Sequence, residues 1–308
     1  MKILLVVDGS PYAEVATKML KAFKLRSQTE VAVMTVVPEH TFLGGLTLDA
    51  VRGKALSKKE IHETQQQRAT ELVQGAANVL STGKLKVESL VRWGNPAREI
   101  IKVAHESGIS LVAMGAKGLT DSPQFLLGSV AHKVMRHARA SVLLARKEIA
   151  ALNRVLLATD GSQYSDMAAQ FLLNLPLPRR SQVIMVTAVQ SHIAALVKTP
   201  TLDLQVNQQL VTELQACEER EARNIIAKLG NGFHKEGYKT SSVVMLGGAA
   251  ESILRVAQEY ETDIVVLGAK GLSGIESFLL GSVAERVARY AKCSVLIGRV
   301  LTETENKR

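Results

Sequence analysis

Six glycines and two lysines stand where a phosphate chain could be held. Gly115-Ala116-Lys117-Gly118 is followed, after nine intervening residues, by Gly128-Ser129. Gly268-Ala269-Lys270-Gly271 and Gly281-Ser282 repeat the pattern at the same internal spacing, with Phe-Leu-Leu before the last glycine and Val-Ala after the serine in both copies. Glycine removes Cβ and permits positive φ, so backbone N–H donors can approach an anion closely. A helix beginning at Ser129 or Ser282 would add the field of its N-terminus. Lys117 and Lys270 could contribute a charge-assisted contact to a phosphate oxygen, although turn glycines and solvated lysines would read the same way.

A second pair of residues belongs with these loops. Asp8-Gly9-Ser10 and Asp160-Gly161-Ser162 each end an apolar run. Asp8 and Asp160 read either as turn or helix-cap residues or as carboxylates that accept ligand hydrogen bonds or hold a bridging Mg²⁺. No nucleophile, base and orienter recur between the two copies, so neither loop carries recognisable machinery for catalysis.

The elements that must position these residues follow from hydrophobic patterning. Lys2 to Val7 is a short apolar strand, and Pro11 opens a helix with Ala13, Ala16, Met19 and Leu20 on one face. Val31 to Val37 is a second strand, followed by a long loop through Gly44 and Gly45. Ser57 to Leu80 is a helix with Ile61, Ala69, Leu72, Val73, Ala76 and Leu80 as its apolar face. Lys84 to Val91 is a third strand, and Gly94-Asn95-Pro96 turns into a helix that directs Ile100, Ile101 and Ala104 inward. Ile109 to Met114 is the fourth strand, and the strand Ser141 to Ala145 closes the unit.

The programme then repeats. Asp160 follows Asp8 at an offset of 160 − 8 = 152, while Gly268 follows Gly115, and Gly247 follows Gly94, at 153. Two copies of one βαβαβαβαβ unit result, spanning residues 1–147 and 153–300. Each is expected to form a doubly wound, five-stranded parallel sheet, because parallel neighbours need right-handed crossovers. Ligands bind such sheets at the carboxyl ends where strand order reverses, here between the first and fourth strands. Asp8 is then beside the Gly115 loop and Asp160 beside the Gly268 loop.

Composition narrows the partners. The 308 residues suffice for two domains, and no apolar stretch is long enough to span a bilayer, which with the short run at Ile3 to Val7 points to the cytoplasm. The net charge of +9 raises nucleic acid as a partner, but the basic residues are dispersed and aromatics make up only 4%, so solvated surface is the better reading. Cys217 and Cys293 have no metal or redox spacing and read as buried or half-buried thiols, and the scattered histidines give no metal site.

The pattern G-x2-G-x9-G-[ST], preceded by a strand ending in D-G-S, resembles the nucleotide-binding signature of the universal stress protein family, in tandem over the whole chain. The resemblance implies strand order 3-2-1-4-5 and an ATP-type ligand with its phosphates on the glycine loop and its ribose and adenine near the first-strand Asp and the end of the second strand. The implied positions are Asp8, Val36, Gly115, Gly118, Gly128, Ser129 and Val130, and then Asp160, Ala188, Gly268, Gly271, Gly281, Ser282 and Val283. It also implies an internal pseudo-dimer through Ser141 to Ala145 and Ser294 to Gly298, with a homodimer left open. Two departures stand out: Gly247-Gly248-Ala249 lacks the proline of the first half, and Ala188 is a small residue beside the base, expected to hold adenine less snugly.

The implied function is a cytoplasmic ATP-binding stress-response protein in which nucleotide is a regulatory or structural ligand. An adenylating enzyme would show H-x-G-H and an amidating pyrophosphatase S-G-G-x-D-S, and this chain has neither, so at most slow ATP hydrolysis is expected. The alternative is a partner-binding module with vestigial nucleotide sites, its surfaces the loops Pro38 to Gly53 and Gln190 to Asp203, which differ between halves.

Overall fold

The computed structural model describes residues 1–38, 58–81, 85–119, 121, 126–189, 208–272 and 280–299. The loop segments 39–53 and 190–203 proposed as partner surfaces lie outside them. The chain divides between Ile149 and Ala150 into two compact units.

In the first unit, β1 (Lys2–Val6), β2 (Glu30–Val37), β3 (Lys86–Trp93), β4 (Leu111–Gly115) and β5 (Ser141–Ala145) alternate with α1 (Pro11–Ala22), α2 (Lys58–Leu80), α3 (Pro96–Glu106) and α4 (Ser129–His137). The sheet is parallel, in the order β3-β2-β1-β4-β5, with Leu4 beside Ala32 on one side and Val112 on the other. Every residue of β4 and β5 is buried, because helices cover both faces. Helix α1 packs with α2, and α3 with α4, as right-handed crossovers on either side of β1 require.

The second unit is built likewise from β6 (Arg154–Ala158), β7 (Gln182–Val189), β8 (Lys239–Leu246), β9 (Ile264–Gly268) and β10 (Ser294–Gly298), with α5 (Gln163–Asn174), α6 (Gln208–Lys235), α7 (Ala249–Glu259) and α8 (Ser282–Tyr290). Its order is β8-β7-β6-β9-β10, the 3-2-1-4-5 arrangement again. Among the described residues, no helix is long and apolar enough to cross a membrane.

Some expectations shift. The third strand runs two residues further than expected, to Trp93, because β3 is an edge strand of mixed burial with no clean alternation to mark its end. Its last residue is held by tertiary contacts: Trp93 stacks on His62 of α2 at 4.2 Å and donates from Nε1 to Gln66. On α3 the buried residues include Ile100, Val103 and Ala104, while Ile101 is only half-buried. Cys293 is buried as expected but Cys217 is exposed on α6, and neither takes part in a disulfide.

Candidate functional site

The site in each unit is assembled from two loops that leave the carboxyl ends of adjacent strands. After β1, Gly9 adopts φ +78°, a conformation that side chains rarely take, and the chain turns directly into α1. Ser10 is the N-cap of α1, its Oγ accepting from the Ala13 amide at 3.2 Å. Asp8 therefore does not cap the helix. Its Oδ1 accepts from the Ser10 amide at 3.0 Å and its Oδ2 from the Leu119 amide at 3.2 Å, so one carboxylate ties the first-strand loop to the glycine loop. The second unit reproduces this: Gly161 has φ +76°, Ser162 caps α5, and Asp160 accepts from Ser162 N at 3.0 Å and from Leu272 N at 3.1 Å. The strand reversal thus brings Asp8 and Asp160 onto the glycine loops, as the topology requires.

The glycines of the signature have three different physical roles. Gly115 is the last residue of β4, and a Cβ there would stand 2.7 Å from Tyr12 Cβ; at Gly268 it would stand 2.7 Å from both the carbonyl carbon and the oxygen of Tyr164. The first glycine therefore permits the sheet to touch the first turn of α1 or α5. A Cβ at Gly118 would meet Asp8 Oδ2 at 2.8 Å, and at Gly271 it would meet Asp160 Oδ2 at 2.7 Å, so the second glycine makes room for the carboxylate. Gly128 and Gly281 are the N-caps of α4 and α8, and their amides donate back to Ala116 and Ala269 at 2.8 and 2.7 Å.

Neither α4 nor α8 has a side-chain cap hydrogen bond, although α1, α3 and α5 each do. The first-turn amides of Ser129 and Val130, and of Ser282 and Val283, thus begin helices with no side-chain cap hydrogen bond, beside a loop trimmed of Cβ atoms. This is a chemistry that accepts an anion. Ser129 and Ser282 are exposed, which leaves both helix starts open to a solute.

Lys117 and Lys270 are half-buried. Lys270 Nζ lies 5.5 Å from the centroid of the Tyr164 ring, a cation–π contact that holds it over the loop. Val36 and Ala188 are the penultimate residues of β2 and β7, half-buried, on the strands neighbouring β1 and β6. The described contacts do not join them to the glycine loops. Among the described residues, no group of three or more His, Cys, Asp or Glu is placed to hold a metal.

Two residues that sequence reasoning passed over belong to the first site. Arg146, just after β5, donates from Nη1 to the Leu126 carbonyl at 2.9 Å and so steadies the segment entering Gly128. Asp121 turns its carboxylate into the loop, with Oδ2 accepting from the Gly118 amide at 2.6 Å and crowding the space where a Gly128 Cβ would stand. The signal for Asp121 was present in the repeat, since the aligned residue, 121 + 153 = 274, is a glycine.

Comparison with known proteins agrees with this architecture. The model of the universal stress protein family matches residues 1–146 and again 151–299. A universal stress protein of Methanocaldococcus jannaschii is 30% identical over 154 residues, which cover 48% of this chain and 95% of that protein. A second from the same organism is 31% identical over 144 residues, covering 47% of this chain and 80% of its own length. Among solved structures, a universal stress protein from Archaeoglobus fulgidus has the same fold over 97% of this chain and 96% of its own, with a TM-score of 0.61 and 20% identity. With both halves matched by the family model, this chain belongs to the universal stress protein family.

Proposed function

We propose that each unit binds an adenine nucleotide of the ATP class and that the nucleotide serves as a regulatory or structural ligand in a cytoplasmic stress response. The observation that carries this reading is the pair of helix starts at Gly128 and Gly281, which have no side-chain cap hydrogen bond and are tied to the glycine loops by their amides' hydrogen bonds to Ala116 and Ala269. The phosphates would take the amides following Gly128 and Gly281, with Lys117 and Lys270 as countercharges and Mg²⁺ as an accompanying ion. Asp8 and Asp160 would lie on the ribose side, and Val36 and Ala188 beside the base.

Such a ligand couples its concentration to stability. At a level about 100-fold above its Kd, one bound nucleotide stabilises the folded unit by roughly 2.7 kcal/mol through mass action.

Isothermal titration with ATP tests the proposal on the wild type, Gly118→Glu and Gly271→Glu. A glutamate at either glycine would be driven against Asp8 or Asp160. Heat in the wild type that falls in each variant, with the thermal transition retained, supports nucleotide sites at both loops. Absence of heat in the wild type refutes them.

A further inference from the structure

The two glycine loops match residue for residue through Leu119 and Leu272, exchange the similar Thr120 and Ser273, and then carry Asp121 against Gly274. In the first unit the divergence reaches the anion position itself. Asp121 Oδ2 accepts a 2.6 Å hydrogen bond from the Gly118 amide and lies in contact range of the Gly128 backbone, the N-cap of α4. At Gly281, the nearest described atoms to an added Cβ are instead backbone, Ala269 O and Lys270 Cα, both at 3.4 Å. A carboxylate oxygen and a phosphate oxygen ask for the same donors and carry the same sign of charge.

We propose that Asp121 is an internal anion that competes with the phosphates of a nucleotide for the first glycine loop, so that the two sites of one chain differ in affinity. The proposal rests on nucleotide binding as read above. A phosphate entering the first loop must displace the Asp121 carboxylate from the Gly118 amide and remain near its charge. In the second loop Gly274 has no side chain to displace. The second site is therefore the tighter one, despite the smaller Ala188 on its base side, and the first fills only at higher nucleotide concentration.

Asp121 also stands close to the first-strand carboxylate: a Cβ on Gly118 would be 2.8 Å from Asp8 Oδ2 and 3.6 Å from Asp121 Oδ2. Two carboxylates flank this glycine in the first unit, whereas Asp160 alone among the described residues flanks Gly271. The extra negative charge opposes an anionic ligand in the same direction as the occupied amide.

The experiment isolates the first site with Gly271→Glu and compares ATP titrations of that variant alone, with Asp121→Gly and with Asp121→Asn. Asp121→Gly copies the second loop, and Asp121→Asn keeps the shape while removing the charge. Release of a charge-assisted hydrogen bond corresponds to roughly ten- to hundredfold tighter binding in the Asp121→Gly background, with Asp121→Asn changing in the same direction. Gly118→Glu, which leaves only the second site, should bind ATP more tightly than Gly271→Glu. If Gly118→Glu binds ATP but Asp121→Gly leaves the first site unchanged or weaker, the competition is refuted and nucleotide binding stands. If neither single-site variant nor the wild type binds ATP, both fall together.

Discussion

Adding one methyl group at Gly268 probes whether the signature glycine is there for packing rather than for turning. An ideal Cβ at this position would lie 2.7 Å from the carbonyl carbon and oxygen of Tyr164 and 2.9 Å from the amide nitrogen of Ser165. All three are main-chain atoms of the first turn of α5, so no rotamer change can relieve the contact. Ordinary contact begins near 3.4 Å, so α5 would have to recede from β9 by about 0.7 Å. Overpacking of this kind costs about 1–3 kcal/mol, offset by about 0.4–1 kcal/mol because alanine restricts the unfolded chain. The net expectation for Gly268→Ala is a loss of about 1–2 kcal/mol.

Gly281→Ala is the comparator, since its Cβ would meet nothing closer than 3.4 Å and it forfeits only the modest preference for glycine over alanine at a helix N-cap. Urea titration followed by circular dichroism reads both, using the transition midpoint at constant slope. Because α5 carries Ser162 at its start, the same displacement should loosen the Asp160 contacts to Ser162 and Leu272. Equal midpoints for the two variants, or a loss below about 0.5 kcal/mol in Gly268→Ala, would refute the packing role.

Asn95 caps α3 by accepting from the Arg98 amide at 3.2 Å, and the second unit has an uncapped glycine, Gly248, at the same place. Asn95→Ala should cost about 1 kcal/mol by chemical denaturation. Glu251 is held below the usual carboxylate range, first by a backbone hydrogen bond in its own first turn and then by Arg286 of α8. Its folded pKa is depressed, so its stabilising effect is present above the ordinary value of 4.5 and fades as pH falls through the lower folded value. Thermal transitions of the wild type and Glu251→Gln should therefore differ at neutral pH and converge in acid, and a gap that is constant with pH would contradict the assignment.

Much of the architecture was legible because the chain contains its own control. The near-constant offset between halves identified the repeating unit, and continuous apolar runs at Leu111–Gly115 and Ser141–Ala145 marked strands buried on both faces. Reversal of strand order between the first and fourth strands, the order that the family resemblance implied, then placed Asp8 beside the glycine loop. Edge strand β3 was less legible, since its end at Trp93 is held by His62 and Gln66 of a helix distant in sequence.

Within the site, residue types announced an anion-binding loop but not the work of each residue. The spacing of Gly115 and Gly118 is equally consistent with turn chemistry and with close packing; only the positions of Tyr12 and the Asp8 carboxylate separate them. Asp8 read either as a turn or cap residue or as a ligand-facing carboxylate, and Ser10 proved to be the cap, because capping depends on where an oxygen lies relative to the first-turn amides rather than on residue type alone. Local pattern and topology alone thus determined two parallel α/β units with a glycine loop at each strand reversal. The placing of the Asp121 carboxylate on the Gly118 amide was decided by tertiary structure, because a hydrogen bond is set by distance and direction in space, which composition and spacing do not encode.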